Sequence, residues 1–253
     1  MISTKTLDAA LAAKTESATF NTLIGKDANG LPVNITAANA AQIIGGLLIG
    51  KSAADNIFIM YHRKSDNYPL MVKPEYWTSI QNSGEIADGV VVVSGDKLLV
   101  VAPTEASKKW SSAAVSGGGY TTTDRQSAYQ DFAGRANTTS QLTHAECQGT
   151  DYAAGYCNSY SRSNGNNGGL GAGKWFCPAE GQMMLVYAYM NEINYALSLI
   201  TGSTQLARDW YWSSTECSSG NAWTLILNDG YMYNYAAKAT YTTRVRPVSA
   251  FIS

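Results

Sequence analysis

From Trp223 to Tyr233 the side chains change character at every step. Trp223, Leu225 and Leu227 fall on one parity and Thr224, Ile226 and Asn228 on the other. A period of two marks a strand, because successive side chains leave opposite faces of a pleated backbone. Asn228, Asp229 and Gly230 then supply a hairpin turn, since Asp-Gly accepts the positive backbone angles that tight turns require. With the pairing carried across this turn, Met232 joins the Trp223 side, and Tyr231 and Tyr233 join the other. The pattern predicts a hairpin with one core face and one outward face of tyrosine, asparagine and serine.

The outward residues are the candidate ligand contacts: Thr224, Ile226, Asn228, Tyr231 and Tyr233, joined by Ser218, Ser219, Asn221 and Tyr235 from the adjoining loops. Tyrosine offers large amphipathic area at low entropic cost, and Ser, Asn and Gly offer adaptable hydrogen bonds, as in antibody loops. The chain has 16 tyrosines against 5 phenylalanines, which favours aromatics with a polar edge. The same tyrosines also suit an ordinary solvated strand face.

Upstream, Met183, Val186, Met190, Ile193, Leu197 and Ile200 recur at spacings of three and four, the stripe of an amphipathic helix. Pro178 suits its first turn and Gly202 its exit. This helix is expected to pack on the C-terminal sheet. Strands are predicted at 56–61, and at 89–93 and 97–102 as a hairpin across Ser94-Gly95-Asp96, with Val90 to Val93 buried on both faces. Residues 131–145 read as helical toward their end, capped by Asn137 or Thr138. The Gly, Ser, Asn and Tyr-rich segment 149–173 reads as a long surface loop. Gly168 and Gly173-Lys174 have the spacing of a phosphate loop, but Trp175 stands where a magnesium-binding hydroxyl is needed, so the match is read as chance.

Residues 1–50 differ in texture, being rich in Ala, Thr, Asn and Ile. Helical pieces are predicted at 4–14 and 37–44, with a strand-turn-strand between them around Lys26 to Gly30. So small a segment cannot enclose its own apolar face, which makes it a connector that packs against copies of itself, or else an extension lying on the main domain. The expected organisation is a connector over 1–50 and a ligand-binding domain over 51–253, α+β in class.

A net charge of -1 without a dense Lys/Arg run argues against nucleic acid and anionic lipid as partners. No stretch approaches a membrane span, and residues 1–20 lack the apolar core of a secretory leader, so synthesis in the cytoplasm is expected. Cys147, Cys157, Cys177 and Cys217 form no Cys-x-x-Cys pair; free thiols are expected, with a Cys147–Cys157 bridge as the alternative in an exported particle. His62 and His144 are the only histidines, and His144 with Cys147 lacks the further ligands of a closed zinc site. No Gly-x-Ser-x-Gly elbow supports a serine nucleophile. Neither metal nor cofactor is expected, and no enzymatic activity.

Four ordered strings carry a resemblance: YWSSTE (211–216), NAW (221–223), NDG (228–230) and RVRPVSAF (244–251), preceded by GKWFCPAEGQM (173–183). Together they resemble C-type-lectin-like domains, in the branch related to formylglycine-generating enzymes that includes phage tail-fibre tips and the variable proteins of diversity-generating retroelements. The resemblance covers roughly the last two-thirds of the chain. It implies a C-type-lectin-like fold and a non-enzymatic receptor-binding protein, part of a virion as a homotrimeric tail-fibre tip, whose partner is a bacterial surface protein or glycan. A cell-surface or pilus adhesin is the alternative within the same fold. A formylglycine-generating oxidase is disfavoured, because Cys217 is the only cysteine beyond Cys177. The sugar-binding strings Glu-Pro-Asn, Gln-Pro-Asp and Trp-Asn-Asp are absent, so calcium-dependent sugar binding is not implied. Within the signature, Arg244 and Arg246 are expected to anchor the last strand through ion pairs, with Glu216 as partner for one of them.

Overall fold

The computed structural model describes residues 57–250, together with the backbone of two N-terminal strands. The chain divides into two compact units, Met1–Ala53 and Ala54–Ser253. In the first, β1 (Thr22–Lys26) and β2 (Pro32–Thr36) pair antiparallel, with Leu23 opposite Ile35 and Lys26 opposite Pro32. This is the strand-turn-strand that the sequence predicts; the helical pieces expected on either side lie outside the described residues.

The second unit opens with β3 (Ile57–His62) and β4 (Pro69–Val72), followed by α1 (Pro74–Asn82). β5 (Ala87–Ser94) and β6 (Lys97–Val101) form the predicted hairpin, with Ser94 paired to Lys97 across Gly95 at a φ of 60°. Val90, Val91 and Val92 are all fully enclosed, because β5 is covered on both faces. Short elements follow: β7 (Ala106–Lys108), α2 (Arg125–Tyr129), α3 (Gly134–Gln141), α4 (Ala145–Gln148) and α5 (Ala153–Ser159). After α6 (Glu180–Ala188) and α7 (Met190–Ser198) come β8 (Trp210–Glu216), β9 (Asn221–Ile226), β10 (Tyr231–Ala237), β11 (Thr243–Val245) and β12 (Val248–Ser249).

Among the described residues of this unit the strands build two sheets, ordered β12-β6-β5-β3-β4 and β10-β9-β8-β11-β7. Every pair is antiparallel except β11 with β8, which meet in parallel at Arg244 and Tyr211. Helices on mainly antiparallel sheets make the unit α+β, as expected.

The predicted helical stripe exists, but as two helices meeting at Tyr189, whose φ of -112° breaks the helical run. Pro178 precedes the cap residue Ala179 rather than standing in the first turn. All six stripe residues are buried, in one core with Ile59, Val90 and Val92 of one sheet and Trp223, Leu225 and Met232 of the other. The stripe therefore joins both sheets rather than covering only the C-terminal one.

Two further expectations are corrected. Asn137 and Thr138 lie inside α3 and are buried; they do not cap it, and Ala133 holds the cap position. The segment 149–173 contains α5, with Ala153, Ala154 and Cys157 buried. Gly155 makes this possible: a β-carbon there would stand 2.3 Å from the carbonyl oxygens of Gln148 and Gly149, so only glycine lets α5 sit against that turn.

Candidate functional site

The β9–β10 hairpin has the register that alternation predicts: Met232 opposes Leu225, Tyr231 opposes Ile226 and Tyr233 opposes Thr224. Trp223, Leu225, Leu227 and Met232 are buried in the main core. The turn spans Leu227 to Gly230. Asp229 accepts from the Tyr231 amide at 3.0 Å, and Gly230 has a φ of 76°. Asp229 is thus held by the turn, as the Asn-Asp-Gly string implies.

The second face is not uniformly open. Trp110, Cys147, Cys157, Cys177, Trp212, Ala222, Ala236 and Val245 form a second core against it. Thr224 is enclosed completely beneath this core, with its hydroxyl directed to the Tyr233 carbonyl at 3.3 Å, so it leaves the set of exposed contacts. Tyr233 is half-buried against the same cluster. Sequence alternation assigns faces but says nothing of what covers the second one.

The remaining residues divide by position. Tyr231 is 47% and Tyr235 66% exposed, and Asn228 is also exposed, while Ile226 is half-buried between Tyr231 and Trp210 as cross-strand neighbours. Asn221, with Ser218 and Ser219 before it, lies at the other end of β9, about 17 Å from Ile226 at a rise of about 3.4 Å per residue, and Tyr235, next to Ala236 opposite Ala222, stands between the two ends. Ser219 is exposed, but Ser218 accepts from the Gly220 and Asn221 amides at 3.2 and 3.1 Å, which is the work of a turn. The structure therefore gathers Ile226, Tyr231, Tyr233 and Tyr235, and separates Ser218, Ser219 and Asn221 from Asn228.

Two residues outside the predicted set complete the aromatic edge. Trp210 meets Tyr233 edge-on at 5.4 Å between ring centres, and Tyr233 meets Tyr235 at 6.0 Å. The Arg125 guanidinium, from α2, lies 5.5 Å from the Tyr231 ring centre and reaches the Met232 carbonyl at 3.4 Å. Trp210 was detectable in principle, two residues before Trp212 on the same face. Arg125 is 106 residues from Tyr231 in sequence, and no local pattern marks it. Among the described residues β10 ends its sheet, so the row lies along an edge strand.

Behind this edge, the YWSSTE string is buried from Tyr211 onward. β8 carries extra residues between Trp212 and Glu216, and these turn hydroxyls into a polar lattice. The Thr215 hydroxyl donates to Asp131 at 2.7 Å and accepts from the Glu180 amide at 2.9 Å, while Gln141 donates to the Ser214 carbonyl at 2.7 Å. Glu216 accepts from the Gly117 and Gly119 amides at 2.8 and 3.0 Å and from Lys238 at 2.5 Å. Lys238 uses its other donors on the Val115 and Ser218 carbonyls, 4.1 Å from the centre of the Trp110 ring. Burial lowers the Lys238 pKa, and the Glu216 hydrogen bond opposes that shift. Glu216 is therefore not the partner of Arg244 or Arg246. Arg244 pairs with Asp209 at 2.9 Å and Glu105 at 2.8 Å, and Arg246 pairs with Glu105 at 2.6 Å. The arginines do anchor the last strands by ion pairs, through Glu105, which also accepts from the Tyr211 hydroxyl at 2.8 Å.

Among the described residues two buried side chains are exceptions to this satisfaction: the Nε of Arg246 has no hydrogen-bond partner, and Glu180 has none at either oxygen. Glu180 is fully buried, and although the Ser213 hydroxyl favours its charged form, neither carboxyl oxygen meets a partner at hydrogen-bond geometry. Burial, reinforced by the charge of Asp131, pushes its pKa up to about 8.

Among the described residues no group of three or more His, Cys, Asp or Glu is placed to hold a metal ion, and no helix is long and apolar enough to cross a membrane. All four cysteines are free and buried, so the Cys147–Cys157 bridge is not formed. Cys157 instead makes a side-chain hydrogen bond with Cys177, and burial raises its pKa. No protein-family model matches the chain, and no curated protein matches it. The crystal structure of a fimbrial protein from Bacteroides ovatus ATCC 8483 is similar to it, with a TM-score of 0.46 at 19% identity over 60% of this chain and 35% of that one. This chain thus spans about a third of the length of that fimbrial protein.

Proposed function

We propose that the chain is a non-enzymatic receptor-binding protein whose second unit is a C-type-lectin-like domain, carried at the tip of a phage or prophage tail fibre. Its partner is a bacterial surface protein or glycan, and its first 50 or so residues join copies into a homotrimer. No cofactor takes part. The observation that carries this reading is the aromatic edge of β10, where Tyr231 and Tyr235 remain exposed on a strand whose alternate residues are locked into two cores. Exposed tyrosines held on a rigid strand lose little side-chain freedom on contact, which is what a binding surface requires. The resemblance of the sequence motifs supports the C-type-lectin-like reading, and the buried ion pairs behind the edge support its rigidity.

The test is a Tyr231→Ser/Tyr235→Ser double variant. Both side chains are open, so stability should change by no more than about 0.5 kcal/mol per site. Fluorescently labelled protein, applied to a panel of bacterial strains, should lose attachment by about tenfold or more where the parent chain attaches. Full attachment by a folded double variant would refute the assignment of this edge. Stoichiometric copper in the purified protein would overturn the non-enzymatic reading.

A further inference from the structure

A second surface feature lies beyond α2 from the tyrosine edge. Tyr120, Ser127, Gln130, Asp131, Phe132 and Ala133 line an open depression of about 560 Å³. Its residues grade from exposed rings, Tyr120 at 44% and Phe132 at 37%, to the nearly enclosed Asp131 at 6%. We propose that this depression receives a cationic side chain, lysine or arginine, from a protein partner, with Asp131 as counter-charge and Tyr120 as the aromatic wall.

The argument starts from the charge inventory. Asp131 accepts from the Ala133 amide at 2.8 Å, from Asn137 at 2.9 Å and from the Thr215 hydroxyl at 2.7 Å. All three donors are neutral, and a carboxylate offers about four lone-pair sites, so one acceptor position remains. Among the described residues Asp131 has no salt-bridge partner, so its negative charge is not matched by a cation of this chain.

A poorly solvated carboxylate beside an open aromatic face attracts a cation through both its charge and the ring quadrupole. An anionic ligand is repelled by the same carboxylate. A neutral sugar gains only stacking there and leaves the charge unmatched. Lys97 lies 5.4 Å from the Phe132 ring centre, yet it is bonded to Asp96 at 3.0 Å and is 45% exposed, so it leaves Tyr120 as the open ring. The Arg125 charge is engaged over Tyr231. A partner protein is the source of the cation on the reading that this unit is a receptor binder, and the depression would then read one basic residue of the partner.

The experiment needs no partner, so its failure is separate from any failure of the attachment assay. The probes are Nα-acetyl-lysine methylamide, its Nε-acetylated form and methyl β-glucoside, titrated by NMR chemical-shift changes into the full chain. The lysine probe should bind and shift resonances of Ser127 to Ala133, and neutralising its ammonium should weaken it by about tenfold. Tyr120→Ala should weaken the lysine probe by about two- to fivefold. Asp131→Asn should abolish binding; because that change also disturbs the lattice at Asn137 and Thr215, the Tyr120 variant carries the test if it fails to fold. Tyr76→Ser, an exposed tyrosine on α1, should change nothing. Equal binding of the acetylated probe, preferential binding of the glucoside, or no shift with any probe would each overturn the proposal.

Discussion

Glu180 ties the stability of the molecule to pH in a direction opposite to ordinary acid denaturation. Its carboxyl titrates at about 8 in the folded chain against an ordinary 4.5, because burial removes water and Asp131 adds like charge. Between those values the folded state holds a proton that the unfolded state has released, so stability falls as pH rises, by about 1.36 kcal/mol per unit. The contribution is complete below pH 4.5 and lost by about pH 8, a span on the order of 4–5 kcal/mol at the upper limit. Glu180→Gln removes the titration while keeping the shape. Urea midpoints of both proteins at pH 5.5 and 8.5, converted with a common slope, isolate this group because the others cancel in the difference. The variant should gain about 2–4 kcal/mol on the parent between the two pH values. An unchanged gap would show that Glu180 is ionised in the folded chain at both pH values, and the account of a carboxyl held protonated by burial would fall.

Removing Lys238 with Lys238→Ala should cost about 3–5 kcal/mol, since Glu216 is left charged and enclosed, and thermal melts should show it. Trp223→Ala should cost about 3–5 kcal/mol through the cavity it opens, with attachment lost only by unfolding. Tyr233→Ser should destabilise measurably, by about 1 kcal/mol or more, unlike the change at Tyr235, because its ring packs on Trp210 and the second core. Light scattering should find the full chain trimeric and a chain beginning at Ala54 monomeric; a monomeric full chain at micromolar concentration ends that idea.

What the sequence made legible was everything governed by local periodicity. The hairpins at Ser94 to Lys97 and Ile226 to Tyr231, the N-terminal strand pair and the buried stripe from Met183 to Ile200 all follow from spacing and turn chemistry. The second core was hidden because its members come from eight separate elements and loops spread from Trp110 to Val245. α5 was hidden because its Ala-Ala-Gly-Tyr-Cys run is small and weakly patterned, and it is burial against Gln148 and Gly149 that makes it a helix. Nothing in the string marks the serines and threonine of β8 as buried, and only the bulge that turns them toward Asp131 and Gln141 explains their enclosure. The candidate site was half legible for the same reason: alternation found Tyr231 and Tyr233, but Arg125 and the depression at Tyr120 are products of tertiary contact.

β9 is flanked by irregularities at a single level. Across from the step Ala222 to Thr224, β8 carries Trp212 to Glu216 and β10 carries Tyr233 to Ala236. The extra residue in β10 reverses its facing, so Met232 enters the main core while Ala236 enters the second one. The strand thus has a place where its length is already decoupled from its neighbours. A residue inserted at Asn234 or Tyr235 is absorbed by enlarging the bulge, leaving Met232 and Ala236 in their separate cores. The same insertion in β9 would exchange Trp223 with Thr224 and empty both cores at once. Change in length, not only in side chain, is therefore open to the exposed edge and closed to the strand behind it.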